Sequence, residues 1–573
     1  MKRVPTVREG VEIAPIPEMI RRSGEKFKDK IALKIERKDL KETLTYQEMI
    51  EKVSLFARGI KKLGFGKNSK IALIGENRPS WAIAYLGIQW TGAVVVPLDP
   101  QLKSPEIKHI LIDSESEALV YSKMYEEVIT EAVKGLKNIK LLICMDKVEE
   151  KTKKIIWMED VIQNGKEVSY FPPQPSLDDL SVLIYTSGTT GQSKGVMLSH
   201  RNIASNINSM YQAVYFDEKD RFISILPLHH TFEATCGFLA PLVAGCEIIY
   251  TPSLKSKEIL DTMKKHKVTL MLGVPLLFEK IVLGIKRNVK EASTIKKALF
   301  KTFYGLSKII KPVSKLPGKV LFKGVREAIG FENLRLVVSG GAALPRWVSD
   351  FLENIGVNIL QGYGLTESSP VLTVNRAEKP KNESVGPPVP DVEIKIDSPD
   401  ENGVGEICAK GPNIMLGYYK NKKATQEVLK DGWLYTGDLG WIDKEGYLYI
   451  TGRKKNLIVT AAGKNVYPEE IEEKLLESPY IKEVLVIGKE NPVTGREEVH
   501  AIIHPDYEEI DKMKPDATEE EITELLKEEI KKYTKELADY KRVKSFEIRE
   551  EEFPKTTTKK IKRYLFIKKP VKI

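Results

Sequence analysis

From Tyr185 to Val196 the chain reads YTSGTTGQSKGV, a crowd of glycines and hydroxyl side chains followed by a lysine. Those residue types suit an anion. Glycines let a backbone approach a ligand and take dihedrals closed to other residues. Successive backbone N–H groups, with the hydroxyls of Thr186, Ser187, Thr189 and Thr190, can wrap phosphate oxygens, and Lys194 adds a mobile positive charge. Spacing excludes the Walker arrangement, which needs two glycines five residues apart and then a lysine and a hydroxyl residue. Here Ser193 stands five places after Gly188, and Gly195 follows Lys194. Taken alone, the run reads equally well as a surface turn.

Four other stretches carry complementary groups. SGGAAL (Ser339–Leu344) places Gly341 and Ala342 just after the apolar run LRLVV. QGYGLTESS (Gln361–Ser369) follows VNILQ and offers the Tyr363 ring, the Thr366 hydroxyl and the Glu367 carboxylate, spaced by Gly362 and Gly364. YTGDLG (Tyr435–Gly440) presents Asp438 between two glycines. TGRKKNLIVTAAGKNVYPEEIE (Thr451–Glu472) carries Arg453, Lys454 and Lys455, then a loop with Gly463, Lys464 and Asn465. Each has an ordinary reading, as a turn-capping acid, a solvated lysine pair or a core tyrosine. Their interest lies in their occurring together.

The elements that must position these groups alternate between two periods. TLTYQEMIEKVSLFARGIKKLG has apolar residues at helical spacing and stops at Gly64, and SKIALIGEN follows as a short buried strand. SWAIAYLGIQWTGA reads as a buried helix, VVVPLD as the next strand, and QLKSPEIKHILIDSESEALVYS repeats helix then strand. DDLSVLIYTSGTTG is a strand entering the glycine-rich loop, and the helix behind it starts at Ser199, a plausible cap. Strand–helix alternation of this kind implies a largely parallel α/β sheet with ligands at the carboxyl ends of its strands. After about residue 385, DVEIKIDSP, GEICAKG and GYLYITGR are short strands separated by turn residues, a β-rich subdomain. Past Arg453 a compact α/β pattern resumes, with a charged helix from about Glu519 to Lys535. The expected fold is α/β, with two parallel-rich α/β subdomains and a β-rich subdomain (about 385–453) making a large domain over 1–453. A small mobile α/β domain over 454–573 completes it.

At 573 residues the chain is too long for one ordinary core. Its 42% hydrophobic and 30% charged residues are those of a globular protein. Cys144, Cys236, Cys246 and Cys408 share no CxxC spacing, which argues against a zinc knuckle or disulfide framework and suits a reducing compartment. The first residues hold no apolar signal-peptide core, and no apolar run nears the roughly 20 residues a bilayer span requires. The abundance of lysine and glutamate leans towards a thermophile. The net charge of +10 is localised: Lys280 to Arg326 contains thirteen Lys or Arg and one acid, Glu291. A nucleic-acid-binding surface spread over the protein is therefore not expected.

In this order and spacing the motifs resemble those of the adenylate-forming superfamily of acyl-CoA synthetases, luciferases and peptide-synthetase adenylation domains, over nearly the whole chain. The resemblance implies ATP- and Mg²⁺-dependent activation of a carboxylic acid as an acyl-adenylate, then transfer of the acyl group to a thiol. It implies that the loop from Thr186 through Ser187, Gly188, Thr189, Thr190 and Gly191, with Lys194, cradles the β- and γ-phosphates. Glu367 and a loop hydroxyl such as Thr186 would hold Mg²⁺. Tyr363 would stack on adenine, flanked by Gly341 and Ala342 within the nucleotide site that also includes Gly362, Gly364 and Thr366. Asp438 would accept from the ribose hydroxyls, with Arg453 beside it. FPKTTTKKIKR (Phe553–Arg563) resembles the family's tail segment that carries a lysine to the carboxylate and α-phosphate. Lys560 aligns with that lysine, and Lys559 stands where the family has glycine, so Lys559 is the alternative. Lys455 matches the pivot about which the small domain turns between half-reactions. Gly463, Lys464 and Asn465 would then reach the pantetheine tunnel.

For the acid, LPLHHTFEATCGFLAPLVAG (Leu226–Gly245) lies where the family builds its acyl pocket, with His230 at the entrance position. No Asp stands there to meet an α-amino group, which disfavours an amino acid. Long-chain fatty acyl-CoA synthetases tend to carry an insertion like the basic segment. Within it Ile295, Ala298, Leu299, Phe303, Leu306 and Ile310 are expected on one helical face, with Lys296, Lys297, Lys301 and Lys308 around it, the pattern of a helix on an anionic membrane. A lysine-rich helix docked on its own protein gives the same pattern. The expectation is a long-chain fatty acid–CoA ligase using ATP, Mg²⁺ and CoA, cytoplasmic or peripheral on the inner membrane face. The rivals are a medium-chain or aryl-acid CoA ligase, transfer to a carrier-protein phosphopantetheine, and a catalytically dead nucleotide-binding scaffold. An anionic membrane surface at residues 280–326 and a second copy of the chain are candidate further partners.

Overall fold

The computed structural model describes residues 6–148, 154–186, 193–310, 316–459, 464–490, 497–555 and 561–567. The chain divides into two compact units, Met1–Glu393 with Ala409–Leu434, and Ile394–Cys408 with Tyr435–Ile573.

The first unit is built on two eight-stranded sheets. In one, the strands Asn358–Gly364, Leu336–Ser339, Leu270–Gly273, Arg221–Ser224, Glu247–Tyr250 and Ile31–Glu36 run parallel as neighbours. Antiparallel strands Val371–Val374 and Lys41–Thr45 close its two edges. In the other, Leu180–Thr186, Val94–Pro97, Lys70–Ile74, Ala118–Tyr121, Leu141–Cys144 and Ile155–Trp157 run parallel. Lys194–Ser199 and Gly417–Tyr418 extend that sheet antiparallel. Strands such as Val94–Pro97 and Ala118–Tyr121 are buried at every position, as strands of a parallel sheet covered on both faces must be. The helix Pro79–Trp90 is likewise buried on nearly every side, which is why its sequence is apolar all round rather than striped. Ser199 caps the helix His200–Ala213 through a reciprocal pair with Asn202, satisfying donors that the helix start leaves free.

The basic segment departs from its expected pattern. In the helix Thr294–Ile310 the apolar residues divide between two faces. Phe300, Phe303 and Tyr304 pack inward with Phe322 and Phe351, and the buried Ser307 hydroxyl donates to the Asn354 carbonyl at 2.7 Å. Ile295 (81% exposed), Leu299, Leu306 and Ile309 (76% exposed) point outward instead. The single stripe expected from periodicity is corrected to an aromatic face on the protein and an aliphatic face in solvent.

The strand Trp433–Ile442, which belongs to the second unit from Tyr435 on, pairs antiparallel with Leu448–Arg453, with Trp441 stacked on Tyr449 at 4.2 Å. A three-stranded sheet follows, Ile481–Glu490 antiparallel to Glu497–Pro505, which runs parallel to Ser545–Ile548. Its core gathers Val484, Val486, Ala501 and Ile503 from the sheet with Ile471, Leu475, Leu526 and Ile530 from the helices Pro468–Leu475 and Glu519–Tyr533. Asp438 and Arg453 fall in this unit, together with all that follows Arg453.

Candidate active site

The glycine-rich loop closes a hairpin. Leu180–Thr186 and Lys194–Ser199 pair antiparallel, and Thr186 opposite Lys194 is the last pair before the loop. Ser187, Gly188, Thr189, Thr190 and Gly191 lie outside the described residues. A Cβ on Gly195 would lie 2.9 Å from Leu183 Cδ1 and 3.2 Å from Tyr185 Cζ, so any larger residue there makes those side chains shift. The Tyr185 hydroxyl donates to Asp113 Oδ2 at 2.5 Å; burial and that carboxylate push its pKa up, so it stays a donor.

Glu367 reaches the same hairpin through a residue the sequence did not single out. Gly417–Tyr418 pairs along Lys194–Ser199, with Tyr418 opposite Val196, and the Tyr419 N–H donates to the Gly195 carbonyl at 2.8 Å. The Tyr418 hydroxyl donates to Glu367 Oε1 at 2.8 Å, and Lys194 Nζ lies 5.0 Å from the centroid of the Tyr418 ring. One tyrosine thus links the lysine beside the loop to the carboxylate. Glu367 itself sits in the short turn Thr366–Ser368. The Met415 N–H donates to its carbonyl at 2.9 Å, while Asn413 Nδ2 holds the Ser368 carbonyl at 2.8 Å. A carboxylate such as Glu367 and a hydroxyl such as Thr186 are the oxygen donors a hard divalent cation takes when phosphate oxygens complete its shell. Among the described residues no cluster of three His, Cys, Asp or Glu could hold a metal without such help.

The remaining first-unit residues gather where parallel strands end. Leu336–Ser339 and Asn358–Gly364 are neighbours with Ser339 opposite Gln361. Gly341 and Ala342 follow directly, Gly341 at φ +85°, a conformation that disfavours a side chain. Gln361 ties the two ends together, accepting from the Leu344 N–H at 3.3 Å and donating to the Asn382 carbonyl at 2.5 Å. Beyond it Gly362 and Tyr363 face Val374 and Thr373 across the edge pair. A Cβ on Gly364 would fall 1.8 Å from the Pro370 carbonyl oxygen, so this glycine permits the turn that carries Thr366 and Glu367.

His230 is half-buried beside His229, ring centroids 4.5 Å apart. Burial and the neighbouring ring push the fully enclosed His229 well below the ordinary range, leaving it neutral. Next comes a π-helix, Phe232–Leu239, an irregular form often found at functional sites. Its Glu233 is fully buried, with Oε1 accepting from Ser224 Oγ at 2.6 Å. Burial pushes its carboxyl up to about 8. Asn77 donates to that same Ser224 oxygen at 2.9 Å and to the Leu226 carbonyl at 2.7 Å, and accepts from the Leu228 N–H at 3.1 Å. Neither Asn77 nor Glu233 was visible as a site-building residue in the sequence.

In the second unit Asp438 lies inside a strand, not in a turn, opposite Arg453, whose Nε approaches Oδ1 at 2.7 Å. Asp438 is 5% exposed. Gly437, at φ +71°, donates its N–H to Glu406 Oε1 at 3.1 Å, and Glu406 also pairs with Lys454 at 2.8 Å. Lys455 is solvent-exposed at its surface, yet partial burial and the Arg453 charge lower its ammonium to about 8. Asn465 pairs with Val459 in a small ribbon, and Lys464 lies 3.7 Å from Glu401. Gly463, Lys559 and Lys560 lie outside the described residues.

A family model described as AMP-binding enzyme matches residues 20–419, and one described as AMP-binding enzyme C-terminal domain matches residues 470–560. The chain belongs to the AMP-binding enzyme family. Among its relatives is the long-chain-fatty-acid–acyl-carrier-protein ligase AEE15 of Arabidopsis thaliana, 30% identical over 91% of this chain and 80% of that protein. Another is a long-chain-fatty-acid–CoA ligase of Escherichia coli O6:H1, 29% identical over 91% of this chain and 89% of that protein. The o-succinylbenzoate CoA synthetase of Bacillus subtilis, solved with its acyl-adenylate intermediate, shares the fold at TM-score 0.75 and 24% identity, covering 96% of this chain and 98% of that one. Members of this family convert a carboxylic acid to its acyl-adenylate, and this chain is an AMP-forming ligase of that kind. Among the described residues no helix is long and apolar enough to cross a membrane.

Proposed function

We propose that this enzyme activates a long-chain fatty acid with ATP and transfers it to CoA, releasing AMP and pyrophosphate. The observation that carries the reading is the Lys194–Tyr418–Glu367 arrangement at the mouth of the glycine-rich hairpin. It sets a cation and a carboxylate on one scaffold, as phosphoryl chemistry requires: anions brought together need charge compensation that is already in place. Thr186 and Lys194, with the loop from Ser187 to Gly191, hold the β- and γ-phosphates. Glu367 and Thr186 would hold Mg²⁺, which would supply positive charge against the phosphates. Tyr363, flanked by Gly341 and Ala342, stacks on adenine, and Asp438 with Arg453 takes the ribose. Lys560, or Lys559 one register away, meets the attacking carboxylate and α-phosphate. The small domain, residues 454–573, then turns about Lys455 to bring Gly463, Lys464 and Asn465 to the incoming thiol, a gating motion between half-reactions.

Long-chain relatives and the basic segment together support the fatty-acid reading. The outward aliphatic face of Thr294–Ile310, in a region with thirteen bases and one acid, is suited to an anionic membrane surface from which such an acid could be drawn. The protein would then sit peripherally on the cytoplasmic face. A second reading, transfer to a carrier-protein phosphopantetheine, is favoured by the name of the Arabidopsis relative.

Product analysis with ATP, Mg²⁺, CoA and acids from acetate to stearate, benzoate and cinnamate included, tests the proposal. AMP, pyrophosphate and acyl-CoA formed best at twelve carbons or more support it. A preference for short or aryl acids overturns the substrate. Acyl-adenylate that forms but passes only to a carrier protein selects the second reading.

A further inference from the structure

The residues on either side of 556–560 are fastened to one small piece of the second unit. Upstream, the Phe553 N–H donates to Glu483 Oε2 at 2.8 Å, and Lys555 forms an ion pair with the other oxygen of that carboxylate. Downstream, Arg563 pairs with Glu472, and its Nη1 donates to the Val486 carbonyl at 3.0 Å. Glu472 is itself held, accepting from the Val486 N–H at 2.6 Å. Glu483 and Val486 lie three residues apart on the strand Ile481–Glu490, and Glu472, on the helix Pro468–Leu475, is tied to that strand through Val486. Lys555 and Ile561 form an antiparallel bridge, and the Lys562 N–H donates to the Pro554 carbonyl at 2.9 Å, which draws the two flanks together. Phe553 packs with Leu485 and Ile502, with Ile561 and Phe566 against them.

A carboxy-terminal tail needs none of this merely to stay attached. Arg563 reaches residues ninety-one positions away in sequence to find Glu472, and it lies 4.0 Å from Glu469. Asn456, directly after Lys455, donates to that same Glu469 Oε1 at 2.7 Å. The downstream anchor and the residue next to the proposed pivot therefore meet at one carboxylate.

We propose that the Lys555–Glu483 and Arg563–Glu472 pairs are a two-point clamp that positions the tail lysine for acyl-adenylate formation, which makes Lys555 and Arg563 positioning residues of the first half-reaction. The inference rests on the reading that Lys560 or Lys559 acts on the carboxylate and α-phosphate. A lysine on a long flexible stem contributes to a transition state in proportion to the time it spends in place, and holding both ends of the segment bearing it raises that fraction. Once the acyl-adenylate exists the lysine has no further part, so the clamp should matter to one half-reaction only.

The test measures the two half-reactions separately, acyl-adenylate formation by pyrophosphate exchange and thioester formation from supplied acyl-adenylate and CoA. Arg563→Gln should lower the first by about ten- to a hundredfold and leave the second within about twofold, which also reports that the variant folds. Lys555→Gln should act in the same direction, and Arg563→Lys should recover part of the loss, since an ammonium can keep the ion pair without the second bond to Val486. Equal loss in both half-reactions would show a tail packed for stability alone and overturn the clamp. Lys560→Ala and Lys559→Ala run alongside. If either loses adenylation while Arg563→Gln and Lys555→Gln keep it, the clamp falls and the tail-lysine reading stands. If neither lysine variant loses adenylation, the tail-lysine reading falls and the clamp with it.

Discussion

Glu233 offers a perturbation whose size can be worked from its surroundings. Its carboxyl is enclosed in the π-helix Phe232–Leu239, with Ser224 on one oxygen and no hydrogen-bond partner for the other among the described residues. Gly237 makes the space, for a Cβ there would lie 2.6 Å from Oε2. With no cation beside it, burial raises the carboxyl from 4.5 to about 8. The folded protein therefore keeps a proton that the unfolded chain releases near pH 4.5. For a raised folded pKa, the stabilising contribution is complete below about pH 4.5 and is lost as pH rises through about 8. A span of about 3.5 pH units at ~1.4 kcal/mol each sets the total near 5 kcal/mol. Glu233→Gln keeps the shape and the Ser224 bond but cannot ionise. Denaturation midpoints of both proteins at pH 5 and pH 9 measure the effect, and other titrating groups cancel in the difference. The wild type should lose about 4 kcal/mol more than the variant over that interval, since a little of the total is already gone at pH 5. Because the Ala234 N–H donates to the His230 carbonyl at 2.8 Å, the variant should also keep more activity at pH 9. Parallel pH dependences would refute the reasoning, since they would mean that Glu233 ionises in the folded protein as it does in water.

Tyr418→Phe removes the 2.8 Å bond to Glu367 while keeping the ring beneath Lys194. A hydrogen bond to a charged group contributes about 1.5–3 kcal/mol, so acyl-adenylate formation should fall about ten- to a hundredfold by pyrophosphate exchange. Asp438→Ala strips the Arg453 guanidinium of its carboxylate and should raise the KM for ATP by about tenfold or more, with the KM for the acid unchanged in initial-rate kinetics. Gly364→Ala forces backbone movement against Pro370, and ATP binding followed by calorimetry should weaken more than for Gly362→Ala, where the nearest atom is 3.3 Å away. On anionic vesicles, the double variant Ile295→Asp/Ile309→Asp should bind more than about a hundredfold less tightly by co-sedimentation, each buried isoleucine contributing ~1.5–3 kcal/mol.

What could be read in advance divides along a physical line. Local rules sufficed where the chain's own neighbours decide the outcome: Ser199 with Asn202 three residues on caps its helix, and Val94–Pro97 reads as buried because every residue is apolar. Rules of local spacing failed where a partner distant in sequence decides. Tyr418 is an unremarked residue in the run IMLGYYK until a two-residue strand pairs it onto Lys194–Ser199, more than two hundred positions earlier. Asp438 between glycines suggests a turn, but the partner strand ending at Arg453 extends it instead. The helix Thr294–Ile310 shows the failure most clearly, because periodicity reports that apolar residues recur without saying what each side meets. Its aromatics had a core to enter and its aliphatics did not. Glu233 was illegible for a related reason: an isolated carboxylate is read as solvated, and only the enclosure of the π-helix turns it into a neutral, buried group. The residues that spacing did not single out bind other protein groups first, and in the proposed site they act through Glu367, His230 or the tail. Motifs expose the groups that touch substrate. The groups that hold those in place are chosen by the fold, and only the fold reveals them.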